Sequence, residues 1–467
     1  MQRVLLLILL AFFALSPSVW AAKKKPVAAA QGSTHPAIVA DNADLLDAPY
    51  DPAKPPGRLR VLVALGPSTY FLKDGRPHGL EYALLQGFES ELTRRRGKGQ
   101  PPVRLQFIPL DAGELIPALR EGRGDIAAGL LPQLDGLKAL VGVTEPYARD
   151  EWCLVGSASR QLAGQDEEVE LPSSSFGRRL LSNEQTDLKL KDAALGANAE
   201  MILRAIQQGE TQLTLASRLV TRLWSSQYPA LKVGECLGQK VAYQWAVRPD
   251  QPALVEDLNR YIQSKQFTNM DKAIELTRPH LISGAKVARS DDKVSSMDKL
   301  AIFAPIFQAA AAANNLDWLL LAAIGQKESK LNPVIRQKGP TGIMQINPST
   351  ARAMGVRDPH SHEGNVSAAA VYLDYLRKMY SKQGINEENQ LYFMIAAYNA
   401  GEGRLEQLRR QAKAKGLDPN VWVGNVEKIA LSTVSKGMVD YVSTVNRYYL
   451  AYQAAERARQ KQKKASE

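Results

Sequence analysis

The feature that most constrains this chain is an apolar run that ends in a single carboxylate. The run extends from Trp318 to Ile324, and Glu328 and Ser329 follow it. We predict a mostly buried helix whose last turn presents Glu328 at the edge of an apolar wall. Such a wall disfavours the ionised carboxylate and keeps a general acid protonated near neutral pH. Taken alone, a Glu-Ser pair indicates only a solvated helix end, since perturbed acids are the minority case.

Three further motifs follow Glu328 in order along the chain. They are Gly342-Ile343-Met344-Gln345, then Ala396-Ala397-Tyr398-Asn399-Ala400-Gly401, then Asp440-Tyr441-Val442. Together with Glu328-Ser329, these motifs closely resemble the lytic transglycosylase family with the goose-type lysozyme-like fold, over roughly residues 297–455. The resemblance implies cleavage of the β-1,4 bond between N-acetylmuramic acid and N-acetylglucosamine in peptidoglycan.

The resemblance also assigns roles to individual residues. It implies that Glu328 is the sole acid/base. It further implies that the substrate groove is lined by Ser329, Met344, Gln345, Tyr398, Asn399 and Tyr441. His360 and His362 lie beside Glu363 in the sequence, but a metal site needs more ligands than these. We therefore predict no metal and no cofactor.

The stretch after Glu328 lacks a second acid, because neither Asp nor Glu occurs between Ser329 and Arg357. Most glycosidases use two carboxylates, the second as the nucleophile or as the base for water. A mechanism with an internal nucleophile needs only one. Glu328 would protonate the glycosidic oxygen and then take the proton from the muramoyl C6 hydroxyl, giving a 1,6-anhydro product. A second acid from a distant part of the chain would instead permit hydrolysis.

Length and charge limit the class of protein. With 467 residues the chain is too long for one ordinary core, so we expect two or three domains. Its net charge of +11 suits polyanionic partners such as nucleic acid, anionic lipid or cell-wall polymers. The sequence contains no nucleic-acid-binding motif, so we predict no nucleic-acid partner.

The first residues have the features of a secretory signal. Arg3 precedes an apolar run from Val4 to Leu15, and Pro17 and small residues up to Ala21 follow. The run is short for a membrane span, so we favour a cleaved signal peptide over an uncleaved anchor. No cysteine lies near the cleavage site, so we expect no lipoprotein anchor.

From Arg58 onwards, strands alternate with helices. We predict strands over residues 59–64, 103–109 and 125–130 and helices over residues 80–95 and 112–121. This alternation favours an α/β domain with a largely parallel sheet. The segment also resembles the family-3 extracellular solute-binding proteins of the amino-acid-binding type, through Gly79-Leu80-Glu81-Tyr82, residues 115–125 and Thr144-Glu145-Pro146-Tyr147. That resemblance implies two lobes and a hinge near Val155-Gly156 and Trp245-Ala246-Val247.

Two positions depart from the amino-acid-binding pattern. The family uses an Arg to clamp the ligand carboxylate and an Asp in the second lobe to hold the amine. Here those positions carry Leu137 and the segment Ala216-Ser217-Arg218. Two interpretations stay open: a lobe that lost its ligand, or a lobe that binds another ligand such as a cell-wall peptide.

The two cysteines, Cys153 and Cys236, both lie in this first domain. An exported protein meets an oxidising compartment, so a disulfide can form between them. Two small buried thiols are the alternative, because the sequence alone gives no geometry.

Residues 297–456 form a predicted, nearly all-α domain. We predict helices over residues 297–313, 367–380, 387–398 and 439–459, a short helix at Pro348 and a cap at Asp317. The tyrosines of this domain lie at helical spacing, which favours core or rim positions over sugar platforms. Only Tyr398 and Tyr441 among them fall in the family motifs. The basic residues 457–467 indicate a solvated helix end or a contact with anionic lipid or wall polymer.

The whole chain resembles the membrane-bound lytic murein transglycosylase F family. The predicted order is signal peptide 1–21, linker 22–57, solute-binding-protein-like domain 58–283, linker 284–296, catalytic domain 297–456 and basic tail 457–467. The fold class is an α/β two-lobed periplasmic-binding-protein-like domain followed by a mainly α lysozyme-like domain. The resemblance implies the periplasm of a Gram-negative bacterium, peripheral attachment to the outer membrane, and peptidoglycan glycan strands as the partner.

Two other functions stay open on the sequence alone. One is a hydrolytic muramidase on the same fold, and the other is a ligand or glycan sensor without turnover. The presence of Glu328 argues against the sensor, and the lack of a nearby second carboxylate argues against the muramidase.

Overall fold

The computed structural model describes residues 49–466 apart from the segments 74–75, 98–99, 101, 135, 160–166, 173–174, 183–187, 194–197, 282–295, 334–338 and 434–435. The predicted signal peptide (1–21) and most of the two predicted linkers (22–57 and 284–296) lie outside these residues. Within the described part of the chain, no helix is both long enough and apolar enough to cross a membrane.

A mixed sheet forms the larger lobe of the first domain. It contains β1 (Arg58–Ala64), β4 (Arg104–Leu110), β5 (Ile126–Pro132), β6 (Gly142–Val143), β7 (Ala148–Asp150) and β13 (Val241–Val247), while β2 (Phe71–Lys73) and β3 (Arg76–His78) form a separate hairpin. The strand order is β4-β1-β5-β13-β6, and β7 also pairs with β13. Strand β1 runs parallel to β4 and β5, whereas β13 is antiparallel to its neighbours. Every residue of β1 is buried, as expected for a central strand covered on both faces.

The described part of the first domain contains the two predicted helices and five that were not predicted. They are α1 (Leu80–Arg95), α2 (Leu115–Arg120), α3 (Phe176–Ser182), α4 (Ala199–Gln208), α5 (Arg218–Trp224), α6 (Pro252–Ile262) and α7 (Met270–Thr277). Helix α2 is shorter than predicted because Ala112–Glu114 form a 3-10 turn before it. Gly79 precedes α1 with φ 120°, and a Cβ there would lie 2.2 Å from the carbonyl oxygen of Thr69. Only glycine fits this start.

The smaller lobe has its own sheet. It consists of β8 (Trp152–Gly156), β11 (Leu213–Ser217) and β12 (Lys232–Cys236) with β8 in the centre, beside a parallel pair of β9 (Glu168–Leu171) and β10 (Lys189–Asp192). The chain therefore passes between the two lobes around Glu151 and again between Cys236 and Val241. The predicted hinge positions are wrong, because Val155 lies inside β8 and Trp245 inside β13. Apolar runs predict strands but not the sheet that each strand joins.

A disulfide joins two strands of the smaller lobe, near both places where the chain crosses between the lobes. Cys153 on β8 lies opposite Cys236 on the antiparallel strand β12, and the two are bonded across a separation of 83 residues. The alternative of two buried thiols is therefore wrong.

The second domain is helical. It consists of α8 (Ser296–Asn314), α9 (Trp318–Ser329), α10 (Pro348–Ala353), α11 (His362–Lys382), α12 (Glu387–Ala400), α13 (Glu402–Ala414), α14 (Glu427–Thr433) and α15 (Lys436–Ser466). Helix α11 begins earlier than predicted because the Ser361 side chain accepts a hydrogen bond from the backbone N–H of Gly364. Helices α13 and α14 were not predicted. Helix α15 continues through the segment predicted as a basic tail.

The two domains are joined by a shared apolar core and by polar contacts. Leu62, Ile108 and Leu110 of the first sheet belong to the same buried cluster as the helices of the second domain. Around this cluster, Arg58 pairs with Glu388 at 3.4 Å, Arg104 pairs with Glu427 at 2.9 Å, and Gln106 donates to the Tyr392 hydroxyl at 3.4 Å. A cavity of about 610 Å³ lies beside these ion pairs. The first domain is therefore packed onto the helices of the second domain.

The disulfide gives a test of the smaller lobe. Replacing both Cys153 and Cys236 with Ser should lower the free energy of unfolding by about 3–4 kcal/mol, since the bond closes a long loop in the unfolded chain. Denaturant titration of the wild type and the variant, each with and without reductant, measures the difference. Reductant should leave the double variant unchanged. Two free thiols in the denatured, non-reduced wild type would contradict the bond.

Candidate active site

Glu328 lies in the last turn of α9, where the helix leaves the core. The preceding residues, Leu319 to Gln326, are all buried, while Glu328 itself is only half-buried. Burial raises the pKa of the Glu328 carboxyl group above its usual value, and Tyr441 and Lys327 oppose this effect only in part. The apolar run thus gives the carboxyl group an environment that favours the protonated form.

Tyr441 on α15 contacts Glu328 directly. Its hydroxyl donates a hydrogen bond to Oε1 of Glu328 at 2.5 Å, and its ring is buried. Burial, followed by the neighbouring Glu328, raises the pKa of Tyr441 well above its usual value, so the hydroxyl remains a donor. Oε2 of Glu328 has no hydrogen-bond partner within the described residues. One carboxyl oxygen is therefore held while the other stays available.

Ser329 joins the end of α9 to the following loop. Its hydroxyl donates to the carbonyl oxygen of Ile343 at 2.7 Å and accepts from the backbone N–H of Asn332 at 3.1 Å. Lys330 and Leu331 then turn the chain with φ values of 56° each. Ser329 therefore positions the segment that contains Met344 and Gln345.

The segment from Thr341 to Ile346 is held by Asn365, which was not predicted. The Asn365 side chain accepts from the backbone N–H of Met344 at 2.8 Å and donates to the carbonyl oxygen of Thr341 at 2.8 Å. Gly342 has φ +71°, and a Cβ there would lie 2.4 Å from the Asn365 side chain. The sequence feature that could have identified Asn365 is its position among the apolar residues of α11, where an amide needs hydrogen-bond partners.

Met344 and Gln345 occupy different positions in this segment. The Met344 side chain is fully buried, and its sulfur lies 3.2 Å from where a Cβ at Gly325 on α9 would be. Gln345 is half-buried, has φ 45°, and donates from its side chain to the carbonyl oxygen of Gly342 at 2.7 Å. Met344 therefore packs behind the segment, whereas Gln345 lies at its surface.

Tyr398 on α12 closes another side of the site. Its hydroxyl donates to the carbonyl oxygen of Met344 at 2.8 Å. Burial and the negative charge of Glu328 raise the pKa of Tyr398, which places the two side chains within electrostatic range. Asn399, the next residue, is exposed. Tyr441 thus contacts the Glu328 carboxyl group directly, while Ser329 and Tyr398 hold the backbone of Ile343 and Met344.

A second carboxylate–tyrosine contact holds the other end of α9. Asp317 caps the helix by accepting from the backbone N–H of Leu319 at 2.9 Å, as predicted for the cap. It also accepts from the Tyr449 hydroxyl on α15 at 2.7 Å and from the Gln453 side chain at 3.2 Å. The contact between this cap and α15 was not predicted.

The first domain uses its polar groups internally. Ser217 caps α5 and donates to the Asp150 carboxylate at 2.5 Å, and Tyr243 donates to the same carboxylate at 3.3 Å. Leu137 packs against the apolar core shared by the domains. The first position therefore lacks the Arg of the amino-acid-binding pattern, and the second lacks its Asp.

Comparison with known proteins agrees with both halves of the chain. Residues 305–420 match the model of the Transglycosylase SLT domain, and residues 59–270 match the bacterial extracellular solute-binding proteins, family 3. A membrane-bound lytic murein transglycosylase F of Pseudomonas fluorescens is 26% identical over 428 residues, covering 85% of each chain. Another, from Desulfosudis oleivorans, is 24% identical over 393 residues, covering 80% of this chain and 82% of its own.

Solved structures are similar to the first domain. An amino acid ABC transporter substrate-binding protein from Streptococcus pneumoniae, bound to L-arginine, is 17% identical with a TM-score of 0.40 and covers 48% of this chain and 96% of its own. A solute receptor for L-cysteine from Neisseria gonorrhoeae is 15% identical with a TM-score of 0.38 and covers 52% of this chain and 95% of its own.

The fold and the domain matches define a two-domain protein in which a solute-binding-protein domain precedes an SLT transglycosylase domain. The predicted fold class is confirmed. Relatives named membrane-bound lytic murein transglycosylase F, at 24–26% identity, match the chain along most of its length, so it is similar to these proteins in both domains.

The Tyr441 hydrogen bond can be tested through the pH dependence of activity. Tyr441→Phe removes a donor that favours the ionised form of Glu328, so the pKa of Glu328 should rise further. The alkaline limb of the kcat/KM profile on peptidoglycan should therefore move to higher pH, along with a loss of activity. Tyr449→Phe, which removes the equivalent bond at the other end of α9, is the matched control and should leave the limb in place. An alkaline limb at the same pH in Tyr441→Phe as in the wild type would contradict the assigned contact.

Proposed function

We propose that this protein is a peptidoglycan lytic transglycosylase that cleaves the β-1,4 bond between N-acetylmuramic acid and N-acetylglucosamine without water. The observation that carries the proposal is the lone carboxyl group of Glu328. Its pKa is raised by burial, it is held by Tyr441, and no second carboxylate in the described part of the chain is among its hydrogen-bond or electrostatic partners. One titratable group must then act as both acid and base.

The proposed reaction uses Glu328 twice. The protonated carboxyl group donates its proton to the glycosidic oxygen as the bond from that oxygen to muramoyl C1 breaks. The resulting carboxylate then takes the proton of the C6 hydroxyl while O6 forms a bond to C1. The products are a 1,6-anhydromuramoyl end and a free 4-hydroxyl on the leaving N-acetylglucosamine. Glu328 regains its proton, and no water is consumed.

The other candidate residues support this chemistry in different ways. We assign Tyr441 to holding one oxygen of Glu328, and Gln345, Tyr398 and Asn399 to the groove surface. Ser329 and Met344 contribute through the position of the loop, because Ser329 is bonded to Ile343 and the Met344 side chain is buried. A site held by such supporting contacts keeps its geometry when the substrate binds.

The alternative functions make different demands on the site. A hydrolytic muramidase needs a second group to activate water, usually a carboxylate. A sensor without turnover needs no perturbed acid, and burying one costs stability. Both alternatives fit the surroundings of Glu328 less well than a transglycosylase does.

Glu328→Gln tests the proposed role directly. The amide has the same shape and still accepts from Tyr441, but it transfers no proton, so turnover of purified sacculi should fall by about a hundredfold or more. Mass spectrometry of the wild-type products should show ends one water lighter than free reducing ends. Products with free reducing ends would instead support hydrolysis, and activity within about tenfold of wild type would exclude Glu328 as the acid.

The same variant should also change the pH dependence of stability. A carboxyl group whose folded-state pKa is raised binds its proton more tightly in the folded state. Its contribution to stability is therefore fully present below the unfolded-state value and is lost as the pH rises through the folded-state pKa. The Gln variant lacks this loss, so it should be at least as stable as the wild type at neutral pH. A marked destabilisation would show that the loss of activity reflects misfolding.

We further propose that the first domain regulates or targets the enzyme and that it binds a wall-derived ligand such as a cell-wall peptide. Its resemblance to solute-binding proteins supports a ligand, and its contact with the catalytic helices supports regulation. We also propose a periplasmic location with peripheral attachment to the outer membrane. The relatives' names, which read membrane-bound, support attachment to a membrane. Sedimentation with outer-membrane vesicles at low and high salt tests the attachment.

The first domain should not bind free amino acids tightly. A zwitterion taken out of water without paired charges loses several kcal/mol per ion, and neither Leu137 nor Ser217 supplies a charge. Calorimetry on the full-length Glu328→Gln variant should show no heat with the common amino acids. Micromolar binding of any of them would contradict this. The full chain is needed, because removing the domain would expose the shared core.

A further inference from the structure

A row of three tyrosine rings extends from the catalytic carboxyl group along the second domain. Tyr398, within electrostatic range of Glu328, lies 5.9 Å from Tyr372 between ring centroids. Tyr372 lies 6.2 Å from Tyr375, and these two rings are stacked with an interplanar angle of 14°. We call Tyr398, Tyr372 and Tyr375 the tyrosine row.

Exposure changes along the tyrosine row. Tyr372 is 8% exposed, whereas Tyr375 is 43% exposed. Both residues lie on α11, one turn apart, so the helix presents the outer ring to solvent while the inner ring supports it from below. A single exposed apolar side chain is ordinary, but a ring that is stacked on a buried partner has a defined orientation. It offers a flat surface that is linked to Tyr398 through one intervening ring.

A carboxylate accompanies the row. Glu402, the first residue of α13, accepts from the Tyr372 hydroxyl through Oε2 at 2.7 Å. Its Oε1 has no hydrogen-bond partner within the described residues, and the side chain is half-exposed. A flat aromatic surface with a hydrogen-bond acceptor beside it suits a pyranose ring, which has an apolar face and a rim of hydroxyl and amide donors. A carboxylate also disfavours an acidic peptide stem at this place.

We propose that Tyr375 and Glu402 form an outlying subsite for an N-acetylhexosamine ring of the same glycan strand that Glu328 cleaves. The inference rests on the proposed function, and it goes further because it assigns a chain-length preference to named residues outside the four motifs. The sugar ring stacks on Tyr375, and Glu402 accepts from its hydroxyl or acetamide N–H groups. Longer strands gain this contact, and strands too short to reach Tyr375 do not.

The first test measures chain-length preference with peptide-free glycan oligomers. For the wild type and for Tyr375→Ala, kcat/KM is determined on an octasaccharide and on a tetrasaccharide. The ratio of the two values should fall roughly fivefold in Tyr375→Ala, the loss expected for one aromatic stacking contact. Tyr375→Phe keeps the ring and should restore the ratio. Ile302→Ala, at a site on α8 that is 62% exposed, is the matched control and should leave the ratio unchanged.

The second test separates the subsite from the reaction. Calorimetry measures octasaccharide binding to Glu328→Gln and to Glu328→Gln combined with Tyr375→Ala, and the added substitution should weaken binding by a similar factor. Equal affinities, or an effect that appears only when the strands carry peptides, would overturn the subsite. Failure of the proposed function would appear differently, as products with free reducing ends, and the binding comparison would still decide the subsite.

Discussion

Two hydrogen bonds between carboxylates and tyrosines hold helix α9 in place. Tyr441 donates to Glu328 at one end of α9, and Tyr449 donates to Asp317 at the other, both from α15. A carboxyl group next to an apolar helix costs free energy unless donors offset its desolvation. Because both donors come from one helix, α9 and α15 are aligned along their whole contact. Tyr441 therefore sets the position of the Glu328 carboxyl group, while Tyr449 holds the opposite end of α9.

The loop beside Glu328 depends on the same alignment. Ser329 at the end of α9 donates to the carbonyl oxygen of Ile343, and Asn365 on α11 accepts from the N–H of the same peptide group, that of Met344. Gly325 lets the loop approach the helix, since any larger residue would crowd Ile343 and Met344. Side-chain hydrogen bonds to the loop backbone, together with the absence of a side chain at Gly325, thus bring the loop close to Glu328. Some motif residues around Glu328 therefore act by fixing the backbone of the loop.

Local sequence patterns predicted the features that depend on neighbouring residues, such as helix caps and buried helix faces. The apolar run before Glu328 became a buried helix capped by Asp317, and Pro348 begins a short helix as expected. The crossings between the lobes were misplaced, because strand pairing is a long-range choice that an apolar run does not record. Asn365 was not predicted, because its hydrogen-bond partners are backbone groups distant in sequence. Tyr375 is more exposed than Tyr372 on the same helix, and helical spacing did not distinguish the exposed tyrosine from the buried one.

Helix α15 connects the catalytic carboxyl group to the first domain. Beyond Tyr441 it packs against β4 and β2, and burial lowers the pKa of Arg447, which lies near Tyr70 and Tyr82 of that domain. Farther along, burial also lowers the pKa of Arg457, which is near Glu114 and Asp111. The segment predicted as a solvated tail therefore begins as part of the domain contact. One helix therefore carries both the Tyr441 contact with Glu328 and the contacts with the first domain, and this continuity is the structural support for the regulatory role proposed above.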